Sequence, residues 1–199
     1  MRLLFVLVFA ALLIADSAVK SEDCTLSEEA ILSLDYNMHN LNPNATAKVV
    51  SKKLIPGLGV DFQIHFASTN GHDAFFGMAS DTEHGSGAAA GQDVSSCKRF
   101  SLRFSLISID GSTNAPGVLE VGTGVGDAPG RPIGFLAPRH ISLTKRPQTT
   151  VSATGLLGTK TNYVTGFVVA LQSEFGDGPH DIVLRVQPAD VPTNSPSLR

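Results

Sequence analysis

The sequence has no tryptophan, only two tyrosines, and no run of basic residues. Sugar-binding sites often stack a sugar on an exposed aromatic ring, so Tyr36 and Tyr163 leave little for that kind of recognition. With a formal net charge of −3, the chain also lacks the electrostatic footprint of a protein that binds nucleic acid or anionic lipid. We therefore expect no nucleic-acid partner.

Long apolar runs are scarce as well. The one long run extends from Leu3 to Ala15, follows Arg2 and precedes small residues, which is typical of a cleaved secretory signal. Cleavage after Ser17 or Ser21 is compatible with the pattern, and an uncleaved membrane anchor is the alternative. No later stretch approaches about 20 apolar residues, so we expect a secreted mature protein without stable membrane insertion.

Cysteine is sparse, with only Cys24 and Cys97 in the chain. In a secreted protein, this pair predicts one disulfide, although two free thiols or a bridge to another chain are alternatives. The sequence Asn-Ala-Thr at Asn44 is a glycosylation sequon, so we expect a glycoprotein.

Apolar residues at every second position predict strands in most of the mature chain. The positions predicted to face inward are Val60, Phe62, Ile64, Phe66, Phe100, Leu102, Phe104, Leu106, Ile182, Leu184 and Val186. Further strands are expected near 74–79, 117–123, 131–137 and 149–155, and the apolar segment 163–171 predicts a central strand or a short buried helix. Asn70-Gly71 predicts that the segment 62–80 is a β-hairpin.

A short helix is expected early, where Thr25 and Glu28 form a capping-box pattern, and a strand that enters at Ile31 is the alternative. About eight short strands separated by turn residues indicate an all-β protein, an antiparallel β-sandwich or jelly-roll. We predict a signal peptide over residues 1–21, a single domain over 22–187 and a disordered tail over 188–199.

The residues that could carry catalysis do not form a recognisable pattern. The histidines and aspartates of 65–84 show no spacing that forces metal ligands to converge, so we predict no metal site. No serine-hydrolase elbow is present, and no two carboxylates are singled out as an acid–base pair. The glycine-rich segment 122–130 lacks the nucleotide-binding patterns, which predicts a turn or bulge and no cofactor.

Five residues are candidate ligand contacts: His65, His72, Phe75, Arg99 and Arg103. His65, Arg99 and Arg103 have outward strand phases and could form a weakly basic patch for an anionic ligand, although a solvated sheet face is the alternative. Three segments, 68–73, 80–96 and 122–132, are predicted to be loops that contact the ligand.

Two segments resemble a known family. The stretch FQIHFASTNGHDAFFGMAS (62–80) and the stretch GVLEVGTGVGDAP (117–129) are similar to the farnesoic acid O-methyltransferase-like domain. That resemblance covers roughly 60–167, and the chain departs from the family's pattern in its middle strand and in lacking tryptophan. The resemblance implies a β-sandwich in a secreted or surface protein, and it carries no catalytic residue over to this chain.

These observations predict a secreted, non-enzymatic binding module that recognises an extracellular glycan, lipid or protein. A carrier of a small apolar ligand, with a cavity lined by phenylalanines, is one alternative. A secreted enzyme is the other, either a methyltransferase by family name or a hydrolase.

Overall fold

The structure, a computed structural model, describes residues 22–33, 39–40, 45–68, 74–77, 92–111, 118–128, 131–142, 150–171 and 178–190. Most of these residues lie in strands, which are β1 (Glu22–Cys24), β2 (His39–Asn40), β3 (Ala45–Ile55), β4 (Gly59–Ser68), β5 (Ala74–Gly77), β6 (Gln92–Asp93), β7 (Cys97–Ile109), β8 (Val118–Ala128), β9 (Arg131–Ser142), β10 (Thr150–Leu156), β11 (Tyr163–Leu171) and β12 (His180–Pro188). A single short helix in the described ranges, α1, covers Glu28–Ser33. The predicted signal peptide, Asn44 and residues 191–199 of the predicted tail 188–199 lie outside the described residues, whereas Pro188 ends β12 and Ala189 is buried.

The strands form two sheets with the connectivity of a jelly-roll. Sheet A has the order β10-β7-β12-β4-β3, and sheet B has the order β5-β11-β8-β9. Two strands of two residues each belong to sheet B, β2 paired with β5 and β6 paired with β11. Strand β1 runs parallel to β7 and continues the edge that β12 occupies, while every other described pair is antiparallel. The predicted antiparallel β-sandwich is therefore confirmed.

The inner faces of the two sheets meet in an aromatic core. All eleven inward positions predicted on β4, β7 and β12 are buried. The Phe167 ring on β11 lies 4.8 Å from Phe62 and 6.2 Å from Phe104, measured between centroids, and both contacts are edge-on. Because β11 belongs to sheet B and the other two rings to sheet A, these contacts join the sheets.

The predicted hairpin over 62–80 is wrong. Strand β4 pairs with β3 along one edge and with β12 along the other, so no edge of β4 is left for β5. Strand β5 instead pairs with β11 in the opposite sheet. The hairpin that does form joins β3 to β4 through the turn at 56–58, and strand β3 was not predicted.

Helix α1 begins two residues later than the capping-box pattern at Thr25 indicated. Ser27 caps it, because its Oγ accepts a hydrogen bond from the Ala30 amide at 3.1 Å. Glu28 instead accepts hydrogen bonds from the amides of Gly57 and Gly59 in the β3–β4 turn, at 3.1 and 2.9 Å. The Thr25 hydroxyl donates to the Ser101 carbonyl and accepts from the Ala189 amide.

Two further predictions concern the glycine-rich segment and the cysteines. Strand β8 continues through Gly122, Gly124 and Gly126 to Ala128, so this stretch is not a loop, although its pairing with β9 contains three irregularities.

Cys24 and Cys97 form the predicted disulfide, with Cα atoms 5.6 Å apart. Within the described residues, no helix has the length and apolar character needed to cross a membrane.

Candidate functional site

The outward side chains of sheet A form a surface that we call the polar face. Residues directly opposite each other in paired strands share one side of a sheet, so the strand register identifies its members. Its polar members are Thr150, Ser152, Thr154, Arg99, Ser101, Arg103, Ser105, Asp181, Arg185, Gln187, Asp61, Gln63, His65, Lys48, Ser51 and Lys53. Two apolar residues share the face, Leu156 opposite Arg99 and Val183 opposite Gln63. Arg99, Arg103 and His65 therefore have the outward phase that was predicted for them.

Two of the three arginines on the polar face are held by carboxylates. Arg185 donates from Nε and Nη2 to the two oxygens of Asp61, at 2.6 and 2.9 Å. Arg99 makes the same two-pronged contact with Asp23 of β1, with Nε 2.7 Å from Oδ1. The hydrogen bond from Arg99 holds the pKa of Asp23 below its ordinary value, and the Asp61 carboxylate raises the pKa of Arg185. These arginines fix strands to one another.

Arg103 differs from the other two arginines. Its side chain is exposed, and it makes no hydrogen bond or ion pair with any part of the chain that the structure describes. On β10 its cross-strand neighbour is Ser152, which is also exposed, and on β12 its neighbour is Gln187. A guanidinium carries five N–H donors in a planar fork, so this position offers donors to an acceptor from outside.

A chain of hydrogen bonds crosses the polar face beside Arg103. The Thr150 hydroxyl donates to Ser105 Oγ at 3.1 Å, and the Ser105 hydroxyl donates to Gln187 Oε1 at 3.4 Å. Gln187 lies over Gly59, where an added Cβ would come within 2.7 Å of Gln187 Cγ. The Gln187 carbonyl oxygen accepts from Ser105, and its amide group has two N–H donors besides, on the residue directly across from Arg103.

His65 belongs to a different part of the same face. Its Nδ1 lies 2.8 Å from Asp181 Oδ1, and these two residues are paired across β4 and β12. Along β12, Asp181 and Gln187 are six residues apart, which corresponds to roughly 20 Å of strand. His65 and Arg103 therefore do not form the single basic patch that was predicted.

A second histidine–aspartate pair lies at the same end of sheet A as His65. His180 Nδ1 is 2.8 Å from Asp110 Oδ2, and the other oxygen of Asp110 accepts the Asp181 amide at 2.8 Å. Burial alone would raise the pKa of Asp110, but the hydrogen bonds from His180 and from the Asp181 amide outweigh it and leave the pKa lowered. In the described part of the chain, no three histidine, cysteine, aspartate or glutamate side chains are grouped so as to bind a metal.

The remaining predicted contacts give less information. His72 lies outside the described residues, as do 69–73 of the predicted loop 68–73 and 80–91 of the predicted loop 80–96. Phe75 lies in β5 with its backbone opposite Ala170, and its side chain is not among those described. Segment 122–128 is a strand of sheet B and not a contact loop.

Sequence reasoning missed Gln187, Ser152 and Thr150 as members of the site. Their outward phases could be read from the alternation in β10 and β12. Their proximity to Arg103 could not, because it depends on which strands are neighbours in the sheet.

Comparison with known proteins adds a weak likeness. No protein-family model and no curated protein matches the chain, so the resemblance to the farnesoic acid O-methyltransferase-like domain stays a prediction. A solved structure similar to this chain is that of the N-terminal CBM22-1-GH10 modules of the Clostridium thermocellum xylanase Xyn10B with xylohexaose, at 11% identity and a TM-score of 0.31. That match covers 87% of this chain and 29% of the xylanase chain.

A second solved structure similar to this chain is CsCBM6-3 from Clostridium stercorarium with cellobiose, at 11% identity and a TM-score of 0.26. It covers 85% of this chain and 98% of that one. Identity this low concerns the fold alone.

Proposed function

We propose that this protein is an extracellular glycan-binding module and that the polar face of sheet A is its binding surface. The observation that carries the proposal is the cross-strand chain of Thr150, Ser105 and Gln187 beside Arg103, which has no side-chain partner among the residues that the structure describes. Hydroxyl, amide and guanidinium groups are the partners that the many hydroxyls of a sugar chain require. The Cys24–Cys97 disulfide supports an oxidising, extracellular location.

The composition of the polar face favours a glycan over a protein or lipid ligand. Protein interfaces centre on buried aromatic or aliphatic anchors, and lipid binding needs apolar side chains that insert. Among the described residues, the large apolar side chains that are exposed are Val50, Leu58, Ile107 and Leu156. Of these four, Leu156 lies on the polar face opposite Arg99, and none is directly opposite Arg103.

The core argues against the apolar-ligand carrier. The carrier hypothesis requires the phenylalanines of β4 and β7 to line a cavity, but Phe62 and Phe104 contact Phe167 of the opposite sheet. Residues that pack against each other in this way fill the space between the sheets.

A glycan array with the chain 22–199 tests the proposal when it is combined with a variant that blocks the surface. Ser152→Trp adds a large ring beside Arg103 on a strand at the edge of sheet A, and we expect it to weaken glycan binding at least tenfold. Thr159→Trp, in an exposed turn after β10, is the matched control and should bind like the unmodified chain. Circular dichroism confirms that both variants fold.

Two results would contradict the proposal. One is that the chain binds no glycan at all. The other is that it binds a glycan with the same affinity after Ser152→Trp, which would place the binding surface elsewhere.

A further inference from the structure

The polar face carries a positive charge on a chain whose formal net charge is −3. Five cationic residues point outward from its strands: Lys48, Lys53, Arg99, Arg103 and Arg185. The carboxylates against them are Asp61 and Asp181 on the face and Asp23 at its edge. The face thus has more cations than anions although the whole chain has more anions, so this surface attracts negative charge.

Part of the excess charge lies at Arg103 on β7, and the rest lies at Lys48 and Lys53 on β3. Arg99 and Arg185 are each neutralised by a carboxylate that binds their Nε and Nη2, while Arg103 has no such carboxylate in the described part of the fold. The amide of Gln187 and the hydroxyl of Ser152 flank Arg103 on the two neighbouring strands. An anionic group seated on Arg103 would complete the pairing that the other two arginines already have.

We propose that the glycan bound by the polar face is an anionic polysaccharide, and that Arg103 binds its sulfate or carboxylate group. This inference rests on the proposed glycan-binding function and names its ligand class. Arg103 provides a two-pronged contact to the anionic group, and Gln187 and Ser152 add donors to its remaining oxygens. Lys53 lies about three strands away from Arg103 and attracts a second anionic group of the same polysaccharide. Both anionic groups share this chemistry, so the test separates them.

The test measures binding by isothermal titration calorimetry to three soluble probes: a sulfated glycosaminoglycan, a polyuronate without sulfate, and a neutral glucan. Anionic phospholipid vesicles form a fourth arm. We expect at least one anionic polysaccharide to bind at least tenfold more tightly than the glucan. We also expect its affinity to fall as the salt concentration rises from about 50 to about 200 mM, because cationic side chains displace counterions that are condensed on the polyanion.

Arg103→Gln is the decisive variant, and Lys160→Gln is its matched control. Both remove one positive charge from an exposed side chain, but Lys160 lies in the turn between β10 and β11 and not on the polar face. Arg103→Gln should weaken binding of the anionic polysaccharide by about tenfold or more. It should also lower by roughly one the slope of log affinity against log salt concentration. Lys160→Gln should change the affinity less than twofold.

Ser152→Glu tests the same site with the arginine retained. It places a carboxylate directly across from Arg103, so the internal ion pair should exclude the ligand and match the loss caused by Arg103→Gln. Ser152→Gln, of similar size and without charge, should bind at least fivefold more tightly than Ser152→Glu.

The outcomes separate this inference from the proposed function. If the glucan binds as tightly as both anionic polysaccharides and Arg103→Gln leaves the affinity unchanged, the anionic ligand is overturned and the proposed glycan binding stands. Binding to no glycan overturns both. Equal losses in Arg103→Gln and Lys160→Gln, or binding to the vesicles alone, overturn the assignment of Arg103 to an anionic polysaccharide.

Discussion

Gly59 directly follows the β3–β4 turn and lies against Gln187 of the polar face. Its φ is +106°, and an added Cβ would lie 2.5 Å from the Val186 carbonyl oxygen and 2.7 Å from Gln187 Cγ. We expect Gly59→Ala to lower the free energy of unfolding by about 3 kcal/mol, because the strained backbone and the clash with main-chain atoms add together. Urea denaturation measures this loss.

Gly57 is the control for that substitution. Its φ is +75°, but no atom lies within 4 Å of the added Cβ. Gly57→Ala should therefore cost only the backbone strain, about 1 kcal/mol. Equal losses for the two variants would show that the close approach of β12 to Gly59 has no energetic weight.

Thr123 is a buried residue whose hydroxyl destabilises the fold. It has the inward phase of β8 opposite Phe167, is 1% exposed, and its Oγ1 has no hydrogen-bond partner within the described structure. Thr123→Val keeps the shape and removes the desolvated hydroxyl, so we expect unfolding to cost about 1 kcal/mol more. A thermal melt followed by circular dichroism measures the change.

The opposite sign is expected at Thr154, which also lies in a strand. Its Oγ1 is 2.7 Å from Ser101 Oγ, and Ser101 is fully buried. Thr154→Val removes that partner and should lower stability by about 1 kcal/mol. If Thr123→Val is as destabilising as Thr154→Val, the Thr123 hydroxyl must have a partner.

At the scale of elements, α1 and the β3–β4 hairpin are joined by one side chain. Glu28 accepts the amides of both Gly57 and Gly59. Glu28→Ala leaves these donors without their carboxylate and should lower the free energy of unfolding by about 1–2 kcal/mol. Glu29→Ala, at the exposed neighbouring position, should cost no more than about 0.5 kcal/mol, and urea midpoints compare the two.

The ends of β7 and β12 are joined by a contact that depends on pH. Asp110 has a pKa below its ordinary value of 3.8, so it binds fewer protons in the folded state than in the unfolded state. Its stabilising contribution is therefore present above about pH 4 and is lost as the pH falls through its folded pKa. Between about pH 4 and about pH 2, we expect the free energy of unfolding to fall less steeply with pH in Asp110→Asn than in the unmodified chain.

Asparagine tolerates the φ of +50° at position 110, so this variant tests the charge and not the turn. Asp190→Asn, at an exposed position after β12, is the control. Urea midpoints across the pH range compare the variants. An acid limb that is the same for Asp110→Asn and the unmodified chain would show that the pair with His180 contributes nothing.

The elements that sequence alone predicted correctly are those with unbroken alternation. Phe62, Phe104 and Leu184 are buried as their phase required. Strand β3 was not predicted because its alternation of apolar and polar residues is interrupted. Its pairing with β4 shifts between Val49 and Ser51, and Lys52 lies opposite the buried Phe62. The hairpin at Asn70-Gly71 was wrong because a local turn signal cannot show that both edges of β4 are already occupied.

At the scale of the whole molecule, the site was harder to predict than the fold. Arg99, Arg103 and Arg185 look alike along the chain, and what distinguishes them is a partner far away in sequence. Asp23 is 76 residues from Arg99, and Asp61 is 124 residues from Arg185. The outward phases were therefore predictable, but the pairing that leaves Arg103 available was not.

The disulfide fixes the N-terminal strand to the whole fold. Cys24 and Cys97 are 73 residues apart in sequence. We expect the double variant Cys24→Ser and Cys97→Ser to lose about 4 kcal/mol of unfolding free energy, since the unfolded chain regains the freedom of a long loop. Urea unfolding of the unmodified chain under reducing conditions should give the same midpoint, and no shift under reduction would contradict this role.

Thr25 brings the first and last described strands together, because its hydroxyl bonds to both Ser101 and Ala189. Strands β1 and β12 therefore share one edge of β7, with Cys24 and Pro188 at the adjoining ends, so a linker from the end of β12 needs to run back only the length of the three-residue β1 to reach Glu22. A short linker between them could close the polypeptide into a ring of unchanged strand order. New termini opened at the β3–β4 turn would then yield a circular permutant that keeps every pairing of both sheets.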